Sequence, residues 1–173
     1  MAQFEPAIQK TLLFEGGYAN NPNDSGGETY RGISRKNWPT WGGWGYVDIE
    51  RTDPNFPRVL DRNLGLQGQV IDFYRKNFWK YDGITDQRYA NKIFDLSVNI
   101  GIVHAIKIAQ TAAGSPADGA YGPNTEAAIN ATFNGSLLPL ITQAAITYHT
   151  QIVLTHPQDA AYLAGWIRRD TQS

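Results

Sequence analysis

Two carboxylates and a threonine lie close together near the start of the chain, in a stretch rich in glycine. Glu15 stands in Phe-Glu-Gly-Gly-Tyr, and Asp24 and Thr29 follow in Asp-Ser-Gly-Gly-Glu-Thr. A pair of carboxyl groups can cleave a glycosidic bond, because one protonates the leaving oxygen while the other activates water or attacks the sugar. We therefore expect Glu15 to act as a general acid and Asp24 as its partner.

Glu15 is expected at the C-terminal end of a helix. Apolar residues recur along 4–14 at helical spacing, and Gly16 and Gly17 would end that helix. The negative end of a helix dipole favours the protonated carboxyl group that a general acid needs. Asp24 lies among asparagines, a serine and backbone N–H groups, which favour an anion.

Each of these residues also has a purely structural interpretation. Glu15 could be a solvated carboxylate at a helix end, and Asp24 could organise an Asx turn. Thr29 could simply favour a strand through its branched side chain. The residue types alone leave these alternatives open.

The composition limits the classes of protein. The 173 residues are 42% hydrophobic, which is enough for a sizeable core, and there is no cysteine. The 15 basic and 16 acidic residues nearly balance, so nucleic acid, which requires a basic face, is not an expected partner. No segment approaches the roughly 20 apolar residues of a membrane span. The histidines at 104, 149 and 156 lack ligand spacing, so we expect no metal site.

The elements that must position these residues are mostly helical. Residues 18–33 read as loop and small hairpin, and Trp38 to Pro57 reads as an irregular stretch outside the core. Gly101 is expected to kink or divide the central helix, and Asn124 or Thr125 to cap the next one. The class is mainly α (α+β), with a small β-hairpin near the catalytic loop. Helices are predicted over residues 4–14, 61–78, 91–113, 125–129, 137–154 and 159–169.

Several residues are candidates for sugar contact, because aromatic rings offer flat apolar faces with a polar group at one end. The cluster of Trp38, Trp41, Trp44 and Tyr46 would either line a groove or hold a long loop down. Tyr18 lies beside the motif of Glu15.

Two more candidates lie further along the chain. Asn99 would bond the substrate or make a structural hydrogen bond, and Tyr121 lies in an Asp-Gly turn that also fits ordinary turn chemistry.

Five motifs of the sequence are informative together: Glu15-Gly16-Gly17-Tyr18, Asp24-x-Gly26-Gly27-x-Thr29 with Gly32-Ile33, Tyr74–Trp79, Phe94-Asp95-x-x-x-Asn99-x-Gly101, and Asp118-Gly119-x-x-Gly122-Pro123-x-Thr125. In combination they resemble glycoside hydrolase family 108, the N-acetylmuramidases of phage endolysins and of proteins once labelled secretion activators. The segment from Ala90 onward is similar to the predicted peptidoglycan-binding region of that family.

The resemblance implies a lysozyme-like fold and cleavage of the β-1,4 bond between N-acetylmuramic acid and N-acetylglucosamine. Peptidoglycan glycan strands are the implied partner, and hydrolysis by carboxylates and water needs no cofactor. We expect a monomer with one integrated domain over residues 1–173, in which 1–89 carries the catalytic motifs and 90–173 resembles the peptidoglycan-binding segment. By similarity to phage-type lysozymes, hydrolysis would invert the anomeric configuration, with Glu15 as acid, Asp24 as base and Thr29 orienting water.

Three alternatives remain open from the sequence. A lytic transglycosylase would use the same glutamate and form an anhydro product, and a chitinase would act on a peptide-free polymer. A non-catalytic wall-binding or secretion accessory protein is the third. Because no export signal is recognised at the N-terminus, we expect synthesis in the cytoplasm and release to the cell wall through a holin pore or a secretion machine.

Overall fold

The structure is a computed structural model that describes residues 1–21, 26–132 and 136–173. These residues form helices and one small sheet, which confirms the mainly α prediction. Two short 3₁₀ helices cover Arg58–Arg62 and Pro157–Tyr162. The other elements are α1 Phe4–Thr11, β1 Tyr18–Asn20, β2 Glu28–Tyr30, β3 Ile33–Ser34, α2 Gly43–Glu50, α3 Leu64–Phe78, α4 Gln87–Ile100, α5 Ile102–Ala112, α6 Pro123–Asn130, α7 Leu137–Thr155 and α8 Leu163–Gln172.

The chain forms two compact units, one of residues 12–79 and one of residues 1–11 together with 80–173. In the unit of residues 12–79, the strands form an antiparallel sheet in the order β1-β2-β3. Tyr30 pairs with Ile33, so β2 and β3 are joined by only two residues, Arg31 and Gly32, with φ of 48° and 76°. Positive φ at both loop residues is the geometry of a type I′ hairpin, which glycine adopts without strain.

The segment Trp38–Pro57 was predicted to lie outside the core, and that prediction is wrong. It contains helix α2, whose Trp44 and Val47 are 4% and 0% exposed. The indole Nε1 of Trp44 donates a hydrogen bond to the Trp38 carbonyl at 2.8 Å, so burial leaves this polar group paired. Scattered aromatic residues carry no helical period, and their burial therefore depends on contacts that a local pattern does not encode.

The other unit is built around α4, most of whose residues are buried. Helix α1 packs on α4, with the rings of Phe4 and Phe94 meeting edge to face at 5.6 Å. The prediction that Gly101 divides the central helix is confirmed, since its φ of 85° separates α4 from α5. The predicted cap of α6 is wrong: Gly122 is the N-cap and Pro123 takes the first turn, where its missing N–H costs nothing.

A buried group of charged residues attaches α8 to the same unit. His149 Nδ1 and Asp170 Oδ2 share a hydrogen bond at 2.7 Å, and both side chains are 1% exposed. The Lys92 ammonium donates to the Asp170 carbonyl, and burial lowers the pKa of Lys92. Arg169 pairs with Asp95 through two hydrogen bonds, at 2.9 and 3.1 Å.

Candidate active site

The carboxylate of Glu15 lies against the tip of the β2–β3 hairpin. A Cβ atom built on Gly32 would overlap Glu15 Oε2, and it would lie 2.8 Å from the hydroxyl of Tyr74. Residue 32 therefore has to be glycine for two reasons, its positive φ and the lack of space for a side chain. Glu15 is half-buried at this position.

The hairpin tip is fixed by hydrogen bonds from both sides. The hydroxyl of Tyr74, on α3, donates to the Arg31 carbonyl at 2.6 Å. The backbone N–H of Arg31 donates to the Gly17 carbonyl at 3.2 Å, which links the tip to the glycines that follow Glu15. Tyr30 is fully buried, and its hydroxyl receives a hydrogen bond from Gln67 at 2.7 Å. The surface behind the carboxylate is thus rigid, as a positioned general acid requires.

The expected location of Glu15 at a helix end is wrong. Helix α1 ends at Thr11, four residues before Glu15, and residues 12–15 form turns. Leu12 and Leu13 continue the apolar pattern of the helix without continuing its hydrogen bonds, and Leu13 is 82% exposed. The effect of a helix dipole falls off within the last turn, so it does not account for the chemistry of this carboxylate.

Of the other two predicted catalytic residues, the structure describes Thr29 alone. Asp24 lies outside the described residues. Thr29 occupies the middle of β2, paired with Ala19 of β1 and Ser34 of β3, and is half-buried. The central strand of the sheet fixes its backbone, which agrees with the preference of a branched side chain for strands.

A network of charged residues, which sequence reasoning missed, joins the sheet to α2. Glu28 of β2 pairs with both Arg35, at 3.2 Å, and Arg51. The same two arginines pair with Asp48 of α2, at 2.7 and 3.1 Å. Hydrogen bonding from Arg35 and Arg51 lowers the pKa of Asp48. The only sequence signal was the position of Glu28 inside the glycine-rich motif, and two guanidinium partners give that carboxylate a structural role.

Tyr18 belongs to this network. Its hydroxyl accepts a hydrogen bond from Arg51 at 3.2 Å, and its ring meets Phe56 edge to face at 4.8 Å. Burial and the nearby Glu28 carboxylate raise the pKa of Tyr18, so its hydroxyl keeps its proton. The side chain is half-buried, and its hydroxyl is engaged in holding the sheet.

Of the three tryptophans in the predicted aromatic cluster, Trp44 is buried, whereas Trp38 and Trp41 are accessible. Trp44 is buried under the Arg35 guanidinium, which lies 4.6 Å from the ring centre, and this favours the packing interpretation for Trp44. Trp41 is half-buried, and 39% of Trp38 is exposed. These two rings line an open pocket of about 310 Å³. The α3 side of the pocket carries Gln69, Asp72, Phe73, Lys76 and Asn77.

The remaining candidates lie in the unit that contains α4. Asn99 is half-buried near the end of α4, and its Nδ2 is buried without a hydrogen-bond partner among the described residues. Because buried amides are normally paired, this Nδ2 group fits both a contact with the substrate and a structural hydrogen bond to water.

Tyr121 is engaged within the protein. Its ring meets Tyr81 edge to face at 5.2 Å, and its hydroxyl donates to Glu126 at 3.2 Å. Burial and the Glu126 carboxylate raise the pKa of Tyr121 well above its usual value. In the same turn, the buried Gln110 side chain donates to Asp118 at 2.7 Å and to Thr125 at 2.9 Å. The Asp-Gly turn is therefore held by an internal amide, and Tyr121 packs against Tyr81.

The described part of the chain offers neither a cluster of metal ligands nor a helix that could span a membrane. Within residues 1–21, 26–132 and 136–173, no three His, Asp, Glu or Cys side chains are grouped so that they could hold a metal ion. Among the helices of those residues, none combines the length and the apolar character needed to cross a membrane.

Comparisons with known proteins agree with the motifs. Residues 8–101 match the family Glycosyl hydrolase 108, and residues 104–171 match the family described as Predicted Peptidoglycan domain. The structure of SagA from Brucella abortus is similar with a TM-score of 0.63 at 20% identity, over 97% of this chain and 93% of that one, which shows a shared fold. No curated protein sequence matches the chain. With more than half of its residues matched, the chain belongs to the glycosyl hydrolase 108 family and, with its C-terminal peptidoglycan region, is a glycosidase that acts on peptidoglycan.

Proposed function

We propose that the chain is an endolysin-type lysozyme, an N-acetylmuramidase in which Glu15 is the general acid. It hydrolyses the β-1,4 bond between N-acetylmuramic acid and N-acetylglucosamine. The observation that carries this proposal is the placement of the Glu15 carboxylate against Gly32, beside the Tyr74 hydroxyl. A half-buried carboxyl group with a rigid support can deliver a proton to one atom of a bound glycan.

The proposed reaction uses two carboxyl groups. Glu15 donates its proton to the glycosidic oxygen as the bond between that oxygen and C1 of N-acetylmuramic acid breaks. Asp24 removes a proton from a water molecule, whose oxygen forms the new bond to C1 from the opposite face. Thr29 orients that water. The products are a reducing N-acetylmuramic acid end and a free hydroxyl on N-acetylglucosamine.

Sugar rings would bind on the exposed aromatic surface of the same unit. The pocket beside Trp38 and Trp41 offers ring faces together with the carboxylate of Asp72 and the amide of Asn77. Such a mixture of flat apolar faces and hydrogen-bonding groups suits pyranose rings. Phe73, which lines the pocket, is next to Tyr74 on α3, so one helix carries residues of both the pocket and the Glu15 support.

Mass spectrometry of the fragments released from purified peptidoglycan tests the proposal. Wild type should release fragments with reducing N-acetylmuramic acid ends, and Glu15→Gln should lower the rate about 10²- to 10⁴-fold, the usual contribution of a general acid. Glu5→Gln, which neutralises an exposed carboxylate on α1, is the matched control and should keep full activity.

The same experiment separates the alternatives. Anhydro ends would assign a lytic transglycosylase, and then Asp24→Asn should leave the rate nearly unchanged. Fragments from chitin alone would assign a chitinase. The absence of fragments, with wall binding equal for wild type and Glu15→Gln, would favour a non-catalytic wall-binding or secretion accessory protein.

A further inference from the structure

A long groove runs between α5 and α7. It has a volume of about 850 Å³ and is walled by Ile108 and Ala112 of α5 and by Leu140 and Ala144 of α7. A second pocket, of about 350 Å³, shares Tyr148 with the first and continues along α7. From Leu140 to His156 a helix advances roughly 24 Å. The groove is thus long enough for several units of an extended polymer.

One side of α7 is left uncovered by the described residues of its unit. The 19 residues Leu137–Thr155 include no charged side chain, yet the buried ones are confined to Leu137, Ile141, Ala145 and His149. Leu140 remains 53% exposed at the edge of the groove. An apolar surface of this kind, bordered by polar groups, is typical of a binding site.

The polar groups of the groove are nearly all neutral. Amides of Gln143 and Gln151 line it, and so do the hydroxyls of Thr111 and Thr147, which donate to carbonyls of their own helices and can accept from a ligand. Tyr148 contributes a half-buried ring. The ring of His104 lies 5.2 Å from that of Tyr148. Amides and hydroxyls match sugar hydroxyl and acetamido groups, whereas the apolar wall suits acetamido methyl groups and ring faces.

The few charged residues that line the groove favour the glycan backbone of peptidoglycan over its stem peptides. Lys107 is the one cation among the described lining residues of the larger pocket. Hydrogen bonds from the Ala120 N–H and from Gln110, with a smaller contribution from Lys107, lower the pKa of the nearby Asp118 carboxylate. Asp159 adds an acidic group to the smaller pocket. Stem peptides carry several carboxylates, which this groove would bind poorly. The N-acetylated pyranose backbone itself is neutral and matches the groove, since the lactyl carboxyl of N-acetylmuramic acid is held in an amide bond where a stem peptide is attached.

We propose that the α5–α7 groove binds the N-acetylated glycan strand of peptidoglycan. The inference deepens the proposed function and rests on it, since the substrate of that function is the occupant of the groove. All the lining residues of both pockets lie within the segment that matches the Predicted Peptidoglycan domain. The groove adds a glycan-binding surface, with its own residues, to the one proposed beside Trp38 and Trp41.

Binding of a chitin oligosaccharide, a neutral β-1,4 oligomer of N-acetylglucosamine, tests this assignment, because glycan strands stripped of peptide by an amidase carry a free lactyl carboxylate on every N-acetylmuramic acid. Glu15→Gln serves as the background, because it should bind without cleaving. Calorimetry should show that Tyr148→Ala or Gln143→Ala weakens binding at least 10-fold. Thr150→Ala, an exposed residue of α7 that lines neither pocket, is the matched control and should bind as the background does. Thermal unfolding of each variant checks that the fold is retained.

Amide chemical shifts locate the ligand independently of any variant. Shifts of Gln143, Thr147 and Gln151 on addition of the chitin oligosaccharide would support the inference. Equal affinity of the Gln143→Ala, Tyr148→Ala and background proteins would overturn it. Chemical shift changes seen only with free stem peptide would also overturn the inference. A concentration-dependent dimer that Leu140→Arg dissociates would overturn it as well. These experiments measure binding and not cleavage. If the groove does not bind glycan, the release of reducing ends by wild type still supports the proposed function.

Discussion

The carboxylate of Glu15 occupies the space that a side chain on Gly32 would need. Gly32→Ala should therefore displace the carboxylate, and a misplacement of about 1 Å costs roughly 100-fold in rate. The positive φ at this residue adds about 1 to 2 kcal/mol of backbone strain. Release of reducing ends from peptidoglycan measures the rate, and denaturant unfolding measures the stability.

Gly27→Ala is the control for this substitution. Gly27 also has a positive φ, of 63°, but a Cβ atom there would meet nothing within 4 Å among the described residues. It should lose similar stability and keep most of its activity. If Gly27→Ala and Gly32→Ala lose activity equally, the contact between residue 32 and Glu15 has no part in catalysis.

Tyr74→Phe should weaken the support of Glu15 without touching the substrate. The lost hydroxyl donates to the Arg31 carbonyl at 2.6 Å, so the hairpin tip loses an anchor and stability falls by about 1 to 2 kcal/mol. We expect kcat to fall about 10-fold with little change in KM, because the defect lies in proton delivery. Tyr162→Phe, at a residue 62% exposed and far along the chain from the hairpin, should leave both constants unchanged. An unchanged kcat in Tyr74→Phe would remove Tyr74 from the positioning of Glu15.

The stability of the chain should fall in alkali. Burial raises the pKa of Tyr81 well above 10, and its hydroxyl lies 2.6 Å from Ser97 Oγ. Above about pH 10 the unfolded chain loses this proton while the folded chain keeps it. The unfolded state then binds fewer protons, so the free energy of unfolding decreases by up to about 1.4 kcal/mol per pH unit for such a tyrosine.

Tyr81→Phe isolates this contribution. It should cost about 1 kcal/mol at neutral pH, because one hydrogen bond is lost, and it should decline less steeply between about pH 10 and 12. Ser97 still donates to the Ile93 carbonyl at 2.7 Å in the variant. Lys92, whose lowered pKa has the opposite effect just below 10.5, is present in both proteins and cancels in the comparison. Parallel slopes for the two proteins would contradict the prediction.

Helix α1 should be essential to the unit that contains α4. Phe4 is 2% exposed and packs on Phe94, so Phe4→Ala should lower the free energy of unfolding by about 3 to 5 kcal/mol. Leu13→Ala, at a residue 82% exposed, should change it by less than about 0.5 kcal/mol. Urea unfolding followed by circular dichroism measures both.

The same packing predicts that residues 90–173 do not fold as a separate module. The fragment lacks α1 and also the fully buried Tyr81 and Ile84. We propose instead that residues 1–173 unfold as one domain, and the fragment should show poor dispersion in its amide NMR spectrum. A well-dispersed spectrum of the fragment would establish an independent peptidoglycan module.

The sequence by itself determined the helices and the identity of the candidate acid. The period of apolar residues along 61–78 and 91–113 is a local property, and Gly101 interrupts it where its φ is positive, so both helices and the break were predictable. Glu15 was identified because its glycine-rich motif is local too. Family membership followed from the same motifs.

Only the tertiary structure decided how Glu15 is held. Residues 15, 32 and 74 meet through the closure of a hairpin against α3, and no periodic pattern encodes contacts at such separations. The apolar residues after Thr11 continue a helical pattern where the chain in fact turns, and Trp44 is buried in a segment without periodicity. Local patterns determine which elements form, whereas packing among distant residues determines where helices end and which side chains meet.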